Sequence, residues 1–189
     1  MVDKNHHLGS RSPEYALLGF LYDQPGYGYQ IHHRLTTELG YVWHVSQSQV
    51  YNIIRRLETQ GFILSTNQEQ EKLPDRQILR LSDTGRRRFE DWMNASSGSS
   101  VHAIRLEFIT RLFFAQKLFP DKVHSLLDDQ ADEIDAALTR LKINLADIPS
   151  EQKFNHLGVE LRIDQLRSVR VWLNNCFDEF GINIQKSKK

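Results

Sequence analysis

The sequence predicts a mainly α chain with a small β-hairpin wing, divided into a first domain over residues 1–94 and an all-helical antiparallel domain over 101–189. Three observations carry this. Ser46 to Gly61 reads as one amphipathic helix marked at both ends. Immediately after it the pattern switches to two short β-prone runs separated by a polar stretch. Beyond a Ser-rich break, apolar residues recur at heptad spacing along two long segments.

In chain order, Ser12-Pro13-Glu14 opens a helix, with Ser as cap, Pro at the first helical position and an acid beside the positive helix end. Its apolar residues, among them Leu17, Leu18, Phe20 and Leu21, place it in a core, and Asp23-Gln24-Pro25-Gly26 stops it. A second helix runs from about Gly28 to Leu39, and Tyr41 to Val45 connects it to the Ser46–Gly61 helix. There Ser46 and Gln49 have capping-box spacing, and Gly61 supplies the left-handed stop. Val50, Ile53, Ile54 and Leu57 form its buried stripe, while Gln47, Ser48, Gln49, Tyr51, Asn52, Arg55 and Arg56 face outward. Amides, hydroxyls and guanidiniums on one helix face are the groups that meet base edges and phosphates in a major groove. An ordinary solvated helix face is the alternative. Phe62–Thr66 and Arg76–Leu81 then form the hairpin, with Asn67–Asp75 as a polar tip. Helix, short connector, capped helix and hairpin make a winged helix-turn-helix. Ser82-Asp83-Thr84 caps one more helix, reaching Asn94, whose Arg86, Arg87 and Arg88 stand about 100° apart and cannot share one face.

Ala95–Ser100 is small and polar, a linker. Val101–Phe119 is expected as one helix, a second starts at Pro120 and reaches about Ala146, and Ile148-Pro149-Ser150 breaks it. The last helix runs from about Glu151 to Phe180. Leu127, Ile134, Leu138 and Leu141 on one long helix, and Val159, Ile163, Leu166, Leu173 and Phe177 on the other, are the expected dimerisation residues. Leu157, Leu161, Val169 and Trp172 lie off that seam and want a second cover. A second copy of the chain is the economical partner, since two-fold dimers are the commonest oligomers. Packing on the first domain is the alternative.

Composition sets limits on function. Twenty-four basic and twenty-four acidic residues give zero formal charge, and each half is balanced too, so no bulk field attracts nucleic acid. Residues 1–10 do not resemble a signal peptide and no 18-residue apolar run occurs, which points to a cytoplasmic chain with no membrane span. Cys176 is alone and sits on an apolar helical stripe, as a packed thiol would. The eight His residues show no His-x-x-x-His pair, and no Gly-rich phosphate loop appears. Asp128, Asp129, Asp132, Glu133 and Asp135 spread over a solvated helix face. No catalytic residue, metal or cofactor is expected, and the chain is not expected to be an enzyme.

Tyr15-Ala16-Leu17-Leu18-Gly19, Gly28-Tyr29-Gln30-Ile31, Val50-Tyr51, Leu57-Glu58-Thr59-Gln60-Gly61-Phe62-Ile63, Pro74-Asp75-Arg76 and Leu81-Ser82-Asp83-Thr84-Gly85, in this order and spacing, resemble the PadR family of bacterial transcriptional regulators. Gly40-Tyr41-Val42-Trp43, Gln49-Val50-Tyr51 and Lys72-Leu73-Pro74-Asp75-Arg76 look most like its AphA-like branch. The resemblance implies a homodimer that binds (pseudo)palindromic promoter DNA through the recognition helix and wing tip. Residues matching the family's contacts are Ser46, Ser48, Gln49, Tyr51, Asn52, Arg55 and Arg76; Arg56 and Lys72 join them as neighbouring cations. Asn52 stands where many members have Pro, and Leu73 where related branches often have Gly. Some relatives bind aromatic compounds between subunits, so a small aromatic ligand near Tyr41, Trp43, Trp92, Phe108 and Phe113 is a further expectation. A helical scaffold whose winged helix binds protein instead of DNA is the competing reading.

Overall fold

A computed structural model describes residues 12–68 and 76–182, and they fall into two compact units. One holds the described residues up to Ala95 together with Ile109–Phe114; the other holds Ser96–Phe108 and the described residues from Ala115 onward.

In the first unit, α1 (Glu14–Asp23), α2 (Gly28–Glu38), α3 (Gln47–Thr59) and α4 (Asp83–Asn94) surround a three-stranded antiparallel sheet. Its strands are β1 (Gly26–Tyr27), β2 (Ile63–Gln68) and β3 (Arg76–Leu81), in the order β1-β3-β2. The hairpin register runs from Ile63 opposite Leu81 to Gln68 opposite Arg76. β1, which periodicity does not reveal, pairs Gly26 with Leu79 and Tyr27 with Ile78. The core is Leu17, Leu18, Phe20, Leu35, Leu57, Ile63 and Phe89, all fully buried.

Two helix starts illustrate how side chains set boundaries. At α3 the capping box forms as expected: Gln49 N–H donates to Ser46 Oγ at 3.3 Å, and Ser46 N–H donates to Gln49 Oε1 at 2.8 Å. At α1 the expected Ser12 cap does not form. Pro13 occupies the cap position and Leu17 N–H donates to the Pro13 carbonyl, leaving the Ser12 hydroxyl to Arg56 at 3.3 Å. Proline has no N–H to satisfy, so its place at the start costs little without a side-chain cap.

The single helix expected over 101–119 is a composite. α5 (Val101–Ala103) runs into a π-helical segment (Ile104–Phe108) and then α6 (Ile109–Leu118). The wide turn rephases the side chains, and α6 supplies Ile109–Phe114 to the first unit. That differs from the expected boundary at residues 94 and 101. Thr110, Arg111 and Phe114 are buried there, and the Trp43 indole N–H donates to Thr110 Oγ1 at 2.8 Å.

In the second unit, α7 (Val123–Ala146) and α8 (Lys153–Glu179) form an antiparallel pair. Arg170 reaches Asp135 at 3.1 Å, and the His156 ring meets the Ile148 carbonyl at the turn. Leu127, Ile134, Leu138, Leu141, Ile163, Leu166, Leu173 and Phe177 are buried within the single chain, with Val159 half-buried. The heptad seam therefore closes inside one chain. Phe154, Leu157 and Leu161 stay open, at 89%, 60% and 59% exposure. Cys176 is buried, and burial pushes its thiol up to about 11, as expected for a packing residue.

Candidate nucleic-acid interface

The α3 helix buries Val50, Ile53, Ile54 and Leu57 and turns the opposite face to solvent. At 100° per residue, Ser48, Asn52, Arg55 and Thr59 form its outermost line, with Tyr51 on one flank and Gln49 and Arg56 on the other. Among the described residues, the Asn52 and Arg55 side chains have no hydrogen-bond or ion-pair partner. They are polar groups ready for an outside ligand.

The remaining expected contact residues occupy different situations. Ser46 and Gln49 serve the capping box, and Ser48 Oγ lies 2.9 Å from Ser46 Oγ, so this corner of the helix is held rigid. Tyr51 lays its ring against Gly28: a Cβ there would stand 2.8 Å from Tyr51 Cε1. Only glycine leaves room for that ring. Arg56 folds back to Glu14, with Nη2 to Oε2 at 2.7 Å. Lys72 lies outside the described residues, and Arg76 is placed by its backbone at the start of β3.

Past the helix, Gly61 takes a φ of 74°, a backbone conformation that favours glycine, and Phe62 N–H returns to the Leu57 carbonyl at 2.9 Å. This sharp exit turns the chain directly into β2, bringing the wing beside the helix that precedes it. The arginine run of α4 divides as its periodicity demands. Arg86 stacks over the Tyr22 ring at 4.4 Å, Arg88 lies over the Phe62 ring and pairs with Glu14, and Arg87 is exposed. Two of the three guanidiniums thus serve internal packing.

The aromatics expected around a small ligand are mostly structural. Trp43 is buried on its bond to Thr110, Trp92 stacks on Tyr15 at 4.6 Å, Phe113 meets Phe20 and Phe114 edge-on, and Phe108 meets Trp172. Tyr41 is fully exposed. Glu14 and Gly28 are the residues that sequence reasoning missed. The acid beside Pro13 was a signal, legible as a helix-end charge, but its partners lie 42 and 74 positions away.

Residues 17–91, which span the winged-helix elements from α1 into α4, match the model of the "Transcriptional regulator PadR-like family". Those residues form a PadR-like domain. The negative transcriptional regulator PadR of Bacillus subtilis is 27% identical over 129 residues, covering 68% of this chain and 70% of the relative. A probable transcriptional regulator of Mycobacterium tuberculosis is 29% identical over 79 residues, or 42% of each chain. Among solved structures, B. subtilis PadR in complex with operator DNA aligns at 22% identity with a TM-score of 0.45, covering 94% of this chain and 99% of that one. The same protein in complex with p-coumaric acid aligns at 23% and 0.40, covering 93% and 98%. The PadR-like match falls on the unit that carries the α3 face and the wing. No described helix is long and apolar enough to cross a membrane.

Proposed function

We propose that this PadR-like chain is a sequence-specific, DNA-binding regulator that acts as a homodimer on (pseudo)palindromic promoter DNA in the cytoplasm, with no catalytic role. The observation that carries the reading is the exposed line of Ser48, Asn52 and Arg55 on a capped helix beside a β-hairpin. In this reading α3 enters the major groove, where Asn pairs with adenine edges and Arg with guanine edges or phosphate. Tyr51 and Arg76, at the start of β3, extend the contact set, and Lys72 joins it from its place in the sequence. Ser46 and Gln49 contribute by holding the first turn of α3 in place. The test is binding to DNA upstream of the chain's own gene across a salt series. Specific binding that weakens steeply with salt supports the proposal, because phosphate contacts release counterions. Equal affinity for scrambled DNA overturns it.

Gly28→Ala probes the Tyr51 flank. The added methyl displaces a ring end, not backbone, so the expected result is severalfold weaker operator binding with an almost unchanged unfolding midpoint. Fluorescence anisotropy on labelled DNA, beside a urea titration, checks both.

The second copy is placed on the open stripe of α8. Phe154, Leu157 and Leu161 recur at helical spacing and leave large apolar surface in water, as dimer faces do in isolation. Burying such a side chain is worth roughly 1.5–3 kcal/mol. Replacing Leu157 and Leu161 with Glu is expected to give monomers in sedimentation and to weaken operator binding, since two recognition helices then no longer bind together.

A small aromatic acid is the effector class we assign, because PadR of B. subtilis has been solved with p-coumaric acid. Its site is not placed at Trp43, Trp92 or Phe113, which are committed to packing.

A further inference from the structure

Glu14 is a carboxylate with an unusual set of neighbours. It begins α1, its side chain is only 9% exposed, and both of its oxygens are taken by guanidiniums. Oε2 accepts from Arg56 of α3 at 2.7 Å, and Oε1 accepts from Arg88 of α4 at 2.5 Å. Arg88 is held further by the faces of Phe62, at 4.4 Å, and Tyr15, at 5.6 Å. Its buried Nε has no hydrogen-bond partner among the described residues. One carboxylate therefore ties the last turn of α3 to α1 and α4.

Stability alone explains this arrangement poorly. Apolar side chains of similar volume commonly hold such a junction as well as a buried ion pair does. What apolar side chains cannot do is fix the direction of a guanidinium or offset its charge. Arg56 stands on the flank of α3, half-exposed at 48%, one residue from the outward-pointing Arg55. Released from Glu14, a side chain of that length could reach the phosphate backbone beside the helix.

We propose that Glu14 is a positioning and specificity-determining residue: an internal anion that occupies Arg56 in place of a DNA phosphate and anchors the end of the recognition helix. Arg56 then orients α3 and adds no phosphate contact. This rests on the DNA-binding reading above. It fits a chain with zero formal charge, in which discrimination depends on few contacts and an added sequence-independent grip would dilute it.

The experiment measures affinity for operator and scrambled duplexes over a salt series, using the full-length native chain, Glu14→Gln and Arg56→Gln. Each phosphate contact contributes about 0.9 to the log–log salt slope. Glu14→Gln is expected to steepen the slope by about 0.9 and to tighten scrambled-duplex binding about eightfold near 0.1 M salt. The operator-to-scrambled ratio should fall. Arg56→Gln leaves the Glu14–Arg88 pair intact and decides the matter even if Glu14→Gln does not fold. It is expected to weaken operator binding severalfold while the slope and the scrambled-duplex affinity stay native. A slope that drops by about 0.9 in Arg56→Gln makes Arg56 a phosphate contact and overturns the proposal. So does a folded Glu14→Gln with the native slope. A native chain that fails to discriminate the operator sinks the DNA-binding reading instead, which is a separate outcome.

Discussion

Phe114→Ala is expected to lower the stability of the winged-helix unit by about 3–5 kcal/mol, the cost of emptying a fully enclosed phenyl site. The ring is fully buried and sits edge-on to Phe20, at 5.3 Å between centroids, and to Phe89, at 5.5 Å. It also lies directly on Gly19, where a Cβ would come within 2.4 Å of its Cζ. The ring touches both α1, through Gly19 and Phe20, and α4, through Phe89, so its removal leaves a cavity between them. Against a typical total of about 5–15 kcal/mol, this loss brings the unit close to unfolding. Urea denaturation followed by fluorescence, with Trp43 and Trp92 as reporters, should show the midpoint falling steeply. A change below about 1 kcal/mol would mean that residues 109–114 decorate the unit instead of completing it.

Arg55→Ala should have the largest effect on DNA. Arg55 lies on the outermost line of α3 and has no partner among the described residues, so its removal disturbs no internal bond. A side chain that reads a base edge contributes roughly 1–3 kcal/mol of discrimination, or about tenfold to a hundredfold in operator affinity. Stability should move by no more than about 0.5 kcal/mol, as for an exposed substitution. The mode of contact is separable in one titration. A base contact relaxes preference at one operator position, whereas a phosphate contact weakens all sequences alike and reduces the salt slope by about 0.9. Unchanged binding to every duplex would remove α3 from the interface.

Much of this architecture was legible in the sequence because its signals are local. The Ser46–Gln49 capping box, the Gly61 stop and the β-prone run Arg76–Leu81 each act within a few residues, and each appears where expected. Strand β1 escaped because two residues carry no period. The π-helical turn escaped because it changes which face of the helix is buried without changing composition. Periodicity also reports that a face is apolar without naming what covers it. Hence the antiparallel pairing of α7 and α8 is legible while the share of their apolar residues left for a second copy is not, and Phe113, expected with residues 101–189, falls in the first unit. At the candidate site the outward face of α3 was readable residue by residue. The roles of Glu14 and Gly28 depend on α1, α2 and α4 meeting α3, which only the folded chain reveals.

The placement of Ile109–Phe114 in the first unit has a consequence in time. A chain emerging from the ribosome exposes α1 through α4 and the hairpin well before Phe114 appears. Until then the ring that packs against Phe20 and Phe89 is missing from the core of the first unit. At about 5–20 residues per second the missing segment follows within seconds, and its arrival locks the reader and begins the second unit in the same helix. Synthesis order therefore matters to the first unit: all of α3 leaves the ribosome before the ring that completes its core.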